Sequence, residues 1–453
     1  MTRLPNISGF KSSGWPLAAA LLIRLSVWLA IPSTRFASDE ESYYQVGTAL
    51  LSGRQDVFWP PVTGWLIALV RFVTGSDSLS VVRLAWIAMD LACVLAIGVL
   101  AARLGRAVWP DDDSRARRLS WCSAAAYALY LPAISYSQFA TSETPALLAT
   151  LLVLVAVTTP EASVARFAGG GLLAGLQCLA RPSLLPLLIV VPLAAVSTRR
   201  RTGDYRKVLA FIGIGALVVG AYVARNWIYA GQATISTNSA YNLYIGNRDM
   251  YAEDLDLFNP RATPEQIEFR RQQFSGTLPP FTQTPAESQR LAVQWIRDHP
   301  ALFAKRALGR LARVFVPKTD VLELRGGESR AGVFAPASVA LLTVANVQWA
   351  VILFGGLAGL ILLRHRDRYW FRLMSGVIAG ALVLCLIAIS KPRYSFVFDP
   401  ILIMCAAMLL IEGRNQLKSF TAVDRRGLAA MFAFLLWGWV AFLIFSITSR
   451  AAM

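Results

Sequence analysis

The chain has 453 residues, of which 56% are hydrophobic and only 16% are charged. A water-soluble domain carries about a quarter charged residues, so this composition excludes an ordinary soluble enzyme. The formal net charge of +17 comes largely from arginines in short loops. No basic run is interleaved with aromatic residues, and this pattern argues against nucleic acid as a partner.

Apolar stretches of spanning length recur from one end of the chain to the other. A helix that crosses a hydrocarbon layer roughly 30 Å thick needs about 20 such residues. We therefore expect an all-α membrane protein, a polytopic bundle of about eleven transmembrane helices. The predicted spans are residues 14–31, 78–103, 118–137, 142–158, 164–181, 183–198, 207–228, 334–363, 369–389, 394–412 and 427–448.

Basic residues cluster in alternate loops between these spans. Loops rich in lysine and arginine stay in the cytoplasm, so the clusters indicate the cytoplasmic face. The clusters are Arg103, Arg106, Arg115, Arg117 and Arg118; Arg199, Arg200, Arg201, Arg206 and Lys207; Arg364, Arg366, Arg368 and Arg372; and Arg414, Lys418, Arg425 and Arg426. We expect a multi-pass protein of a bacterial cytoplasmic membrane, with the amino terminus inside and the carboxyl terminus outside.

Three regions follow from this topology. Residues 1–228 form an amino-terminal transmembrane module whose first external loop, 32–77, contains two interfacial helices too short to span. Residues 229–333 form a long external loop with a basic amphipathic helix near 285–316. Residues 334–453 form the carboxyl-terminal transmembrane helices.

The first external loop carries carboxylates beside aromatic residues and prolines. The loop contains Asp39, Glu40, Tyr43, Tyr44, Pro60 and Pro61. A third carboxylate, Glu143, lies in the external turn before the fourth span. Carboxylates at a membrane rim are costly to keep, so Asp39, Glu40 and Glu143 are the candidate catalytic acids. The alternative is that these acids stabilise the starts of helices.

Cations stand at the external ends of the later spans, where other charges are scarce. The set is Arg181, Arg225, Lys391 and Arg393, with Tyr394 beside the last of them. Such cations can hold a leaving phosphate, and a carboxylate can take the proton of an attacking hydroxyl or amine. Acids and cations on one face therefore indicate group transfer from a phosphorylated donor anchored in lipid. The alternative for the arginines is that they snorkel at the ends of spans.

Several motifs, in order along the chain, resemble those of the GT-C glycosyltransferases. The chain looks most like the branch that contains protein O-mannosyltransferases and the aminoarabinose transferases of lipid A. The matching motifs are Asp39-Glu40 with Tyr43-Tyr44, Pro60-Pro61 with Trp65-Leu66, Ser142-Glu143-Thr144-Pro145, Leu179-Ala180-Arg181-Pro182, Arg225-Asn226 with Gly231, Asn242-Leu243 with Gly246-Asn247, and Arg393-Tyr394 with Pro400.

The resemblance implies a GT-C-like fold and a polyprenyl-phosphate-linked sugar as donor. It makes Asp39 the catalytic residue and Glu143 a second acid, and it places Arg393, Arg181 and Arg225 at the donor phosphate. The candidate substrate pocket consists of Tyr43, Tyr44, Pro60, Pro61, Asn242 and Asn247. We expect an inverting glycosyltransferase whose acceptor is a lipid, a glycan or a protein of the cell envelope.

Two other functions fit parts of this pattern. A transporter or flippase of lipid-linked sugars also spans the membrane many times, but it commonly has internal repeats and charges near the midplane. A ligase or polymerase of lipid-linked glycans also uses a large external loop, but the acidic first loop argues against it. Asp39, Glu40 and Glu143 can in principle share a divalent cation, and no other cofactor is indicated.

Overall fold

The computed structural model describes residues 14–31, 35–37, 39–196, 204–249, 255–275, 283–325, 335–413 and 420–451. All the regular structure within these ranges is helical. The α-helices are α1 (Gly14–Ala30), α2 (Glu40–Leu51), α3 (Pro61–Thr74), α4 (Leu79–Val108), α5 (Asp113–Ala128), α6 (Leu131–Tyr136), α7 (Glu143–Val157), α8 (Val164–Ala180), α9 (Leu187–Val196), α10 (Asp204–Ala230), α11 (Asn238–Gly246), α12 (Pro264–Ser275), α13 (Pro285–Asp298), α14 (Pro300–Val314), α15 (Pro336–Arg366), α16 (Arg368–Ile387), α17 (Asp399–Glu412) and α18 (Ala422–Ala451). Short 3-10 turns lie at Pro182–Leu184, Asp320–Arg325 and Pro392–Val397.

Several helices are suited to a membrane, as the composition predicts. Among the described residues, five helices are long and apolar enough to cross a bilayer: Leu79–Val108, Tyr205–Ala230, Pro336–Arg366, Arg368–Ile387 and Ala422–Ser449. Other apolar helices, including α1, α7 and α8, have 10 to 17 residues. The structure therefore indicates an all-helical, multi-pass membrane protein, whereas the count of about eleven spans remains a prediction.

Proline divides two of the elements that the sequence analysis treats as continuous. The span predicted at 118–137 consists of α5 and the short helix α6, which restarts at Leu131-Pro132. The amphipathic helix predicted at 285–316 is two helices, α13 and α14, with the break at His299-Pro300. A proline lacks the amide hydrogen and clashes with the preceding turn, so each of these residues begins a new helix.

Described residues of three of the four basic loops lie together at one end of the bundle. Trp109 Nε1 donates a 2.7 Å hydrogen bond to Glu412, and the Arg366 guanidinium lies 3.2 Å from the same carboxylate. These contacts join the end of α4, the turn between α15 and α16, and the end of α17. Arg103 donates to Thr158 over 3.0 Å, which brings the end of α7 to the same place. The opposite ends of these helices are therefore together as well.

Small residues allow the long helices to approach each other closely. Gly171 of α8 packs against the backbone of Phe211 in α10, and Gly359 of α15 packs against the backbone of Cys405 in α17. A Cβ atom at either glycine would overlap the facing carbonyl group. Close backbone approach through small residues is the usual means by which helices associate in lipid.

A buried ion pair fixes the first helix against its neighbours. The Arg24 side chain donates hydrogen bonds to the Asp90 carboxylate and, over 2.8 Å, to the Ala128 carbonyl oxygen. Tyr127 donates a 2.7 Å hydrogen bond to the other Asp90 oxygen. All three polar side chains are fully buried, so this cluster joins α1, α4 and α5 without reaching solvent. Pairing satisfies groups that would be costly inside a bilayer.

The described parts of the two segments predicted to be external lie at the end of the bundle opposite the basic loops. Helices α2 and α3 form an antiparallel pair that crosses at Gly47 and Gly64, where a side chain at either position would clash with the other helix. Helix α11 packs on α13, and α14 packs on α16 and α18.

Candidate active site

A cavity of about 700 Å³ lies at the end of the bundle opposite the basic loops, and residues of α2 and α11 are part of its lining. Helices α8 and α16 end beside it, and the segment 233–243 forms one wall. The charged residues that line the cavity are Asp39, Arg181, Lys391 and Arg393. Four of the predicted groups, from three separate parts of the sequence, are thus brought to one place.

Asp39 immediately precedes α2 and faces Arg393. The Arg393 Nη2 atom lies 2.6 Å from Asp39 Oδ2 and donates a hydrogen bond to it. The Asp39 side chain makes no capping hydrogen bond to α2, so helix capping does not account for this carboxylate. Its side chain is 32% exposed, which leaves it open to the cavity.

The electrostatic setting of Asp39 keeps it ionised. Burial alone would raise the pKa of this carboxyl group, but Arg393, Lys391 and Arg181 together outweigh burial and lower the pKa below its ordinary value of 3.8. Asp39 is therefore a carboxylate at neutral pH. It can accept a proton or orient a partner, but it cannot donate a proton.

Glu143, the first residue of α7, lies behind two arginines. Its Oε1 atom is 3.2 Å from Arg181 Nη1 and 3.4 Å from Arg393 Nε. The Glu143 side chain is only 3% exposed, and it does not line the cavity. The geometry therefore suits Glu143 to holding the two guanidinium groups in place better than to contacting a ligand.

The cations outnumber the carboxylates by one. Arg181, Lys391 and Arg393 face two carboxylates, Asp39 and Glu143. Within the described part of the chain, the Lys391 ammonium forms no hydrogen bond and no ion pair. The cluster thus has a surplus positive charge at the cavity surface, which favours an anionic ligand.

Tyr394 supports Arg181. The Arg181 guanidinium lies over the Tyr394 ring, 5.0 Å from its centroid, and both residues line the cavity. A cation held over an aromatic face keeps its orientation, so Tyr394 helps to fix Arg181 at the cavity.

A buried lysine that sequence reasoning missed fixes the turn that carries Arg393. Lys318 is 1% exposed, and its Nζ atom donates hydrogen bonds to the Pro392 carbonyl oxygen, over 3.2 Å, and to the Ser395 hydroxyl. The same atom lies 3.3 Å from the Asp399 carboxylate. A lysine in an external loop gives no sequence signal that distinguishes this role from an exposed one.

Arg310, also missed, holds the other side of the same segment. It donates 3.0 Å hydrogen bonds to the carbonyl oxygens of Leu386 and Ile387 at the end of α16, and a further bond to that of Gly246. These carbonyl groups have no partner within their own helix, so the arginine caps α16 and joins it to α11. Arg310 fixes the chain just before Lys391, through Leu386 and Ile387, and Lys318 fixes the turn that contains Arg393.

Glu40 is placed differently from the expectation that it is catalytic. Its carboxylate lies 2.6 Å from Arg83 Nη2 and accepts hydrogen bonds from the backbone amides of Ala37 and Ala140, over 3.2 and 2.7 Å. Glu40 is fully buried and does not line the cavity. Because its oxygens are occupied by these donors, Glu40 fixes the chain on either side of the site instead of facing a ligand.

Of the two neighbouring tyrosines, Tyr43 faces the cavity and Tyr44 does not. Tyr43 lines the cavity and makes a side-chain hydrogen bond with Ser142, and burial together with the charge of Asp39 raises its pKa, so the phenol keeps its proton. Tyr44 points away: its hydroxyl donates to the Asp77 carbonyl oxygen and its ring lies 4.5 Å from Arg71. The expectation that Tyr44 lines the pocket is therefore not met.

The remaining predicted pocket residues also divide. Pro60 and Asn242 line the cavity, whereas Pro61 is buried in the first turn of α3 and does not. Asn247 is fully buried, and its amide group donates to the carbonyl oxygens of Leu243 and Ile387, over 2.8 Å each. Asn247 thus joins α11 to α16 and has no access to a ligand.

Arg225 lies outside the cavity lining. Its guanidinium donates hydrogen bonds to Gln55 and, over 2.5 Å, to Asn226, and it lies 5.2 Å from the centre of the Tyr222 ring. These contacts join the end of α10 to the first external loop. A direct contact between Arg225 and a phosphate in this cavity does not fit the arrangement.

The three carboxylates do not converge on a common point. Glu40 is turned towards Arg83, while Asp39 and Glu143 each face arginines. In the described ranges, no group of three histidine, cysteine, aspartate or glutamate side chains is arranged to hold a metal ion. The divalent-cation site considered for Asp39, Glu40 and Glu143 is therefore not formed by these positions.

Comparison with known proteins gives limited similarity. No protein-family model and no curated protein matches the chain. Solved structures of the Archaeoglobus fulgidus oligosaccharyltransferase are similar to it. The complex with zinc and sulfate has a TM-score of 0.48 and 16% identity, over 95% of this chain and 53% of that one. The complex with an inhibitory peptide and a dolichol-phosphate has a TM-score of 0.45 and 13% identity, over 97% and 56%.

The apo form of the same enzyme gives a TM-score of 0.48 and 13% identity, over 100% of this chain and 57% of that one. The chain thus spans little more than half the length of these structures. Likeness at this level does not establish a shared family or function.

Proposed function

We propose that this protein is a membrane glycosyltransferase that moves a sugar from a polyprenyl-phosphate donor to an acceptor in the cell envelope, with inversion at the anomeric carbon. The observation that carries the proposal is the contact between Asp39 and Arg393 at a cavity that Arg181 and Lys391 also line. A carboxylate base and a cluster of phosphate-binding cations are the two parts that such a transfer needs.

The cationic cluster suits the phosphate of the donor. A phosphodiester that links a sugar to a polyprenyl chain carries one negative charge, and the cluster has one surplus positive charge. Lys391 supplies that charge at the cavity surface, while Arg393 and Arg181 present donors held by Glu143. Charge-assisted hydrogen bonds from such groups are short and strong, and they strengthen as charge develops on a leaving phosphate.

The apolar part of the cavity suits the lipid chain of the donor. Val219 and Val223 of α10 and Leu384 of α16 line the same cavity as the cations. An isoprenoid chain can lie against this surface while its phosphate meets Lys391 and Arg393. Sites of this kind combine an apolar surface with a few fixed polar groups.

Asp39 acts as general base in the proposed reaction. The acceptor oxygen or nitrogen attacks the anomeric carbon from the side opposite the phosphate, and its proton passes to Asp39. The bond between the anomeric carbon and the phosphate oxygen breaks, and its electron pair stays on the phosphate. Because the pKa of Asp39 is lowered, the proton is expected to move late, when the attacking atom has become acidic.

The proposed location is a bacterial cytoplasmic membrane, with the cavity on the external face. Support comes from the two ends of the bundle: described residues of three basic loops gather at one end, and the cavity lies at the other. Under the positive-inside bias, the cavity end faces the periplasm or the cell exterior. The acceptor can be a lipid, a glycan or a protein that reaches this side.

The test is sugar transfer by Asp39→Asn in proteoliposomes that contain labelled undecaprenyl-phosphate sugars and an extract of the cell envelope. We expect transfer to fall by about 100-fold or more while binding of undecaprenyl phosphate persists. Asp298→Asn, which changes an exposed aspartate of α13, is the matched control. Undiminished transfer by Asp39→Asn would show that Asp39 is not the general base. Movement of labelled lipid across the vesicle without product would instead favour a flippase.

A further inference from the structure

One wall of the cavity is polar but carries no charge. The segment 233–243, which includes the start of α11, contributes hydroxyl and amide side chains together with apolar ones. Its polar lining residues are Thr234, Ser236, Asn238, Ser239 and Asn242. All the charged lining residues come from other segments. The part of a ligand that faces α11 therefore meets uncharged hydrogen-bonding groups.

Three of these side chains, Asn238, Ser239 and Asn242, form what we call the neutral wall. Asn238 and Asn242 are one helical turn apart and therefore lie on the same face of α11. Within the described ranges, none of the three side chains makes a hydrogen bond to the protein, and both asparagines are half-buried. Amide groups that face the cavity without a protein partner are free to form hydrogen bonds with a ligand there.

The neutral wall is held rigidly. The backbone amides of Thr237 and Asn238 donate to the carbonyl oxygens of Val57 and Phe58, over 2.9 and 3.1 Å. Tyr241 donates a 2.9 Å hydrogen bond to the Gln283 carbonyl oxygen on the other side of α11. A helix fixed on both sides loses little conformational entropy when it binds a ligand, as a recognition surface requires.

Aromatic rings complete this part of the cavity. Trp59 and Tyr43 line it, and their ring centroids are 5.1 Å apart. A sugar ring presents C–H groups to an aromatic face and hydroxyl groups at its edge. Amide and hydroxyl side chains can both donate to and accept from neighbouring hydroxyl groups. The combination suits an uncharged sugar better than an ionised acceptor group.

We infer that the neutral wall recognises the hydroxyl groups of an uncharged glycosyl residue, carried either by the donor lipid or by a saccharide acceptor. This inference rests on the proposed function and deepens it. It gives Asn238 and Asn242 a role in choosing the sugar, whereas Lys391 and Arg393 bind the phosphate whatever sugar it carries. A site built to bind hydroxyl groups discriminates strongly against analogues that lack them.

The test measures binding to the purified protein in lipid nanodiscs. The probes are undecaprenyl phosphate alone and undecaprenyl phosphate that carries a single glucose, galactose, mannose or arabinose. We expect the wild-type protein to prefer at least one glycosylated probe. Asn238→Ala and Asn242→Ala should each lower this preference by roughly 10-fold, the effect of one lost hydrogen bond, without changing the affinity for the bare lipid phosphate.

Two further variants guard against a folding defect. Asn242→Asp keeps the shape of the side chain but adds a charge, and it should lose the preference as Asn242→Ala does. Asn259→Ala, which changes an exposed asparagine outside the cavity, should keep it. For the two alanine variants, unchanged affinity for undecaprenyl phosphate shows that they are folded. The added charge of Asn242→Asp also repels the phosphate, so its folding is checked by thermal unfolding in detergent.

The outcomes separate the two sources of the sugar. If the wild-type protein shows no preference among the lipids, an acceptor role predicts that Asn242→Ala raises KM for oligosaccharide acceptors and leaves the donor KM unchanged. Equal losses for bare and glycosylated lipids, no change in either KM, or an effect confined to peptide acceptors would each overturn the inference. A wild-type protein that binds none of the lipids overturns the proposed function, and the inference with it.

Discussion

The Arg393 guanidinium donates a 2.6 Å hydrogen bond to the Asp39 carboxylate across a separation of 354 positions in the chain. The pair brings the segment between α1 and α2 into contact with the turn before α17. Each partner also has a second contact or surface at the candidate site. Asp39 is open to the cavity, and Arg393 is shared with Glu143.

Loss of the Arg393 charge should shift the pH dependence of transfer. Without Arg393, burial raises the pKa of Asp39 with less opposition, because only Lys391 and Arg181 still lower it. In Arg393→Met, the acidic limb of the kcat/KM profile should therefore move to higher pH. In Arg393→Lys it should move less, because the charge is kept. A profile of residual Arg393→Met activity that coincides with that of the wild type would contradict this account of Asp39.

The lowered pKa of Asp39 in the wild-type protein also affects how stability depends on pH. The pKa of Asp39 is lowered in the folded protein, so its contribution to stability is present above the unfolded pKa and is lost as the pH falls through the folded value. Thermal unfolding in detergent at pH 3 and pH 7 should show a smaller loss of stability on acidification for Asp39→Asn than for the wild type. An equal or larger loss would mean that Asp39 does not titrate as described.

Removal of the Lys391 ammonium should weaken donor binding and leave the fold intact. In the described part of the chain, this group forms no ion pair and no hydrogen bond, so Lys391→Ala breaks no direct contact and removes only the charge that helps to lower the pKa of Asp39. We expect the affinity for undecaprenyl phosphate to fall by roughly 10- to 100-fold, the effect of losing a charge-assisted hydrogen bond. Lys305→Ala, a lysine of α14 paired with Asp256 outside the cavity, is the control. Equal affinities of Lys391→Ala and the control for undecaprenyl phosphate would show that Lys391 does not bind the phosphate.

Glu40 should prove to be a positioning residue. Glu40→Gln leaves the buried Arg83 guanidinium without its countercharge, which should destabilise the protein by about 3 kcal/mol or more. The double variant Glu40→Gln/Arg83→Met removes both charges and should recover part of the melting temperature. Transfer should stay low in both variants, because Glu40 also fixes the chain beside Asp39 and Glu143 through the amides of Ala37 and Ala140.

The measurements for Glu40 are thermal unfolding in detergent and the pH profile of transfer. A positioning role predicts that Glu40→Gln lowers kcat and leaves the acidic limb of the profile unchanged. A shifted limb with normal stability would indicate that Glu40 itself exchanges protons in the reaction.

Lys318 should control the order of the turn that carries Arg393. Lys318→Met fills a similar space but loses the contacts with Pro392, Ser395 and Asp399. We expect faster hydrogen exchange across 391–397 and a kcat lower by about 100-fold, the cost of displacing a catalytic group by about 1 Å. The double variant Lys318→Met/Asp399→Asn removes the unpaired carboxylate and should restore stability, but not kcat. Unchanged exchange in Lys318→Met would show that the turn is held by other contacts.

The sequence predicted which charged residues lie on one face better than it predicted which of them line the cavity. Asp39, Arg181, Lys391 and Arg393 were identified because charge at the end of an apolar span is conspicuous, and the alternation of spans placed them on one face. The same argument could not separate Asp39 from its neighbour Glu40. One residue along a helix start turns the side chain by about 100°, and the partner that captures Glu40, Arg83, is 43 positions away.

Other features depend on tertiary contacts that leave no local pattern. Arg310 and Lys318 lie in the long segment predicted to be external, where a buried cation and an exposed one look alike in sequence. Asn242 and Asn247 belong to the same motif, yet Asn242 lines the cavity while Asn247 is used inside the protein. Five residues correspond to more than one helical turn, so the two amides point in different directions.

The most direct test of the central idea is an experimental structure of the protein with undecaprenyl phosphate bound. The account predicts that the phosphate oxygens lie about 3 Å from Lys391 and Arg393, with Asp39 on the open side of the same cavity. A phosphate bound at another end of the bundle, or a structure in which Asp39 and Arg393 are too far apart to contact one sugar phosphate, would contradict it.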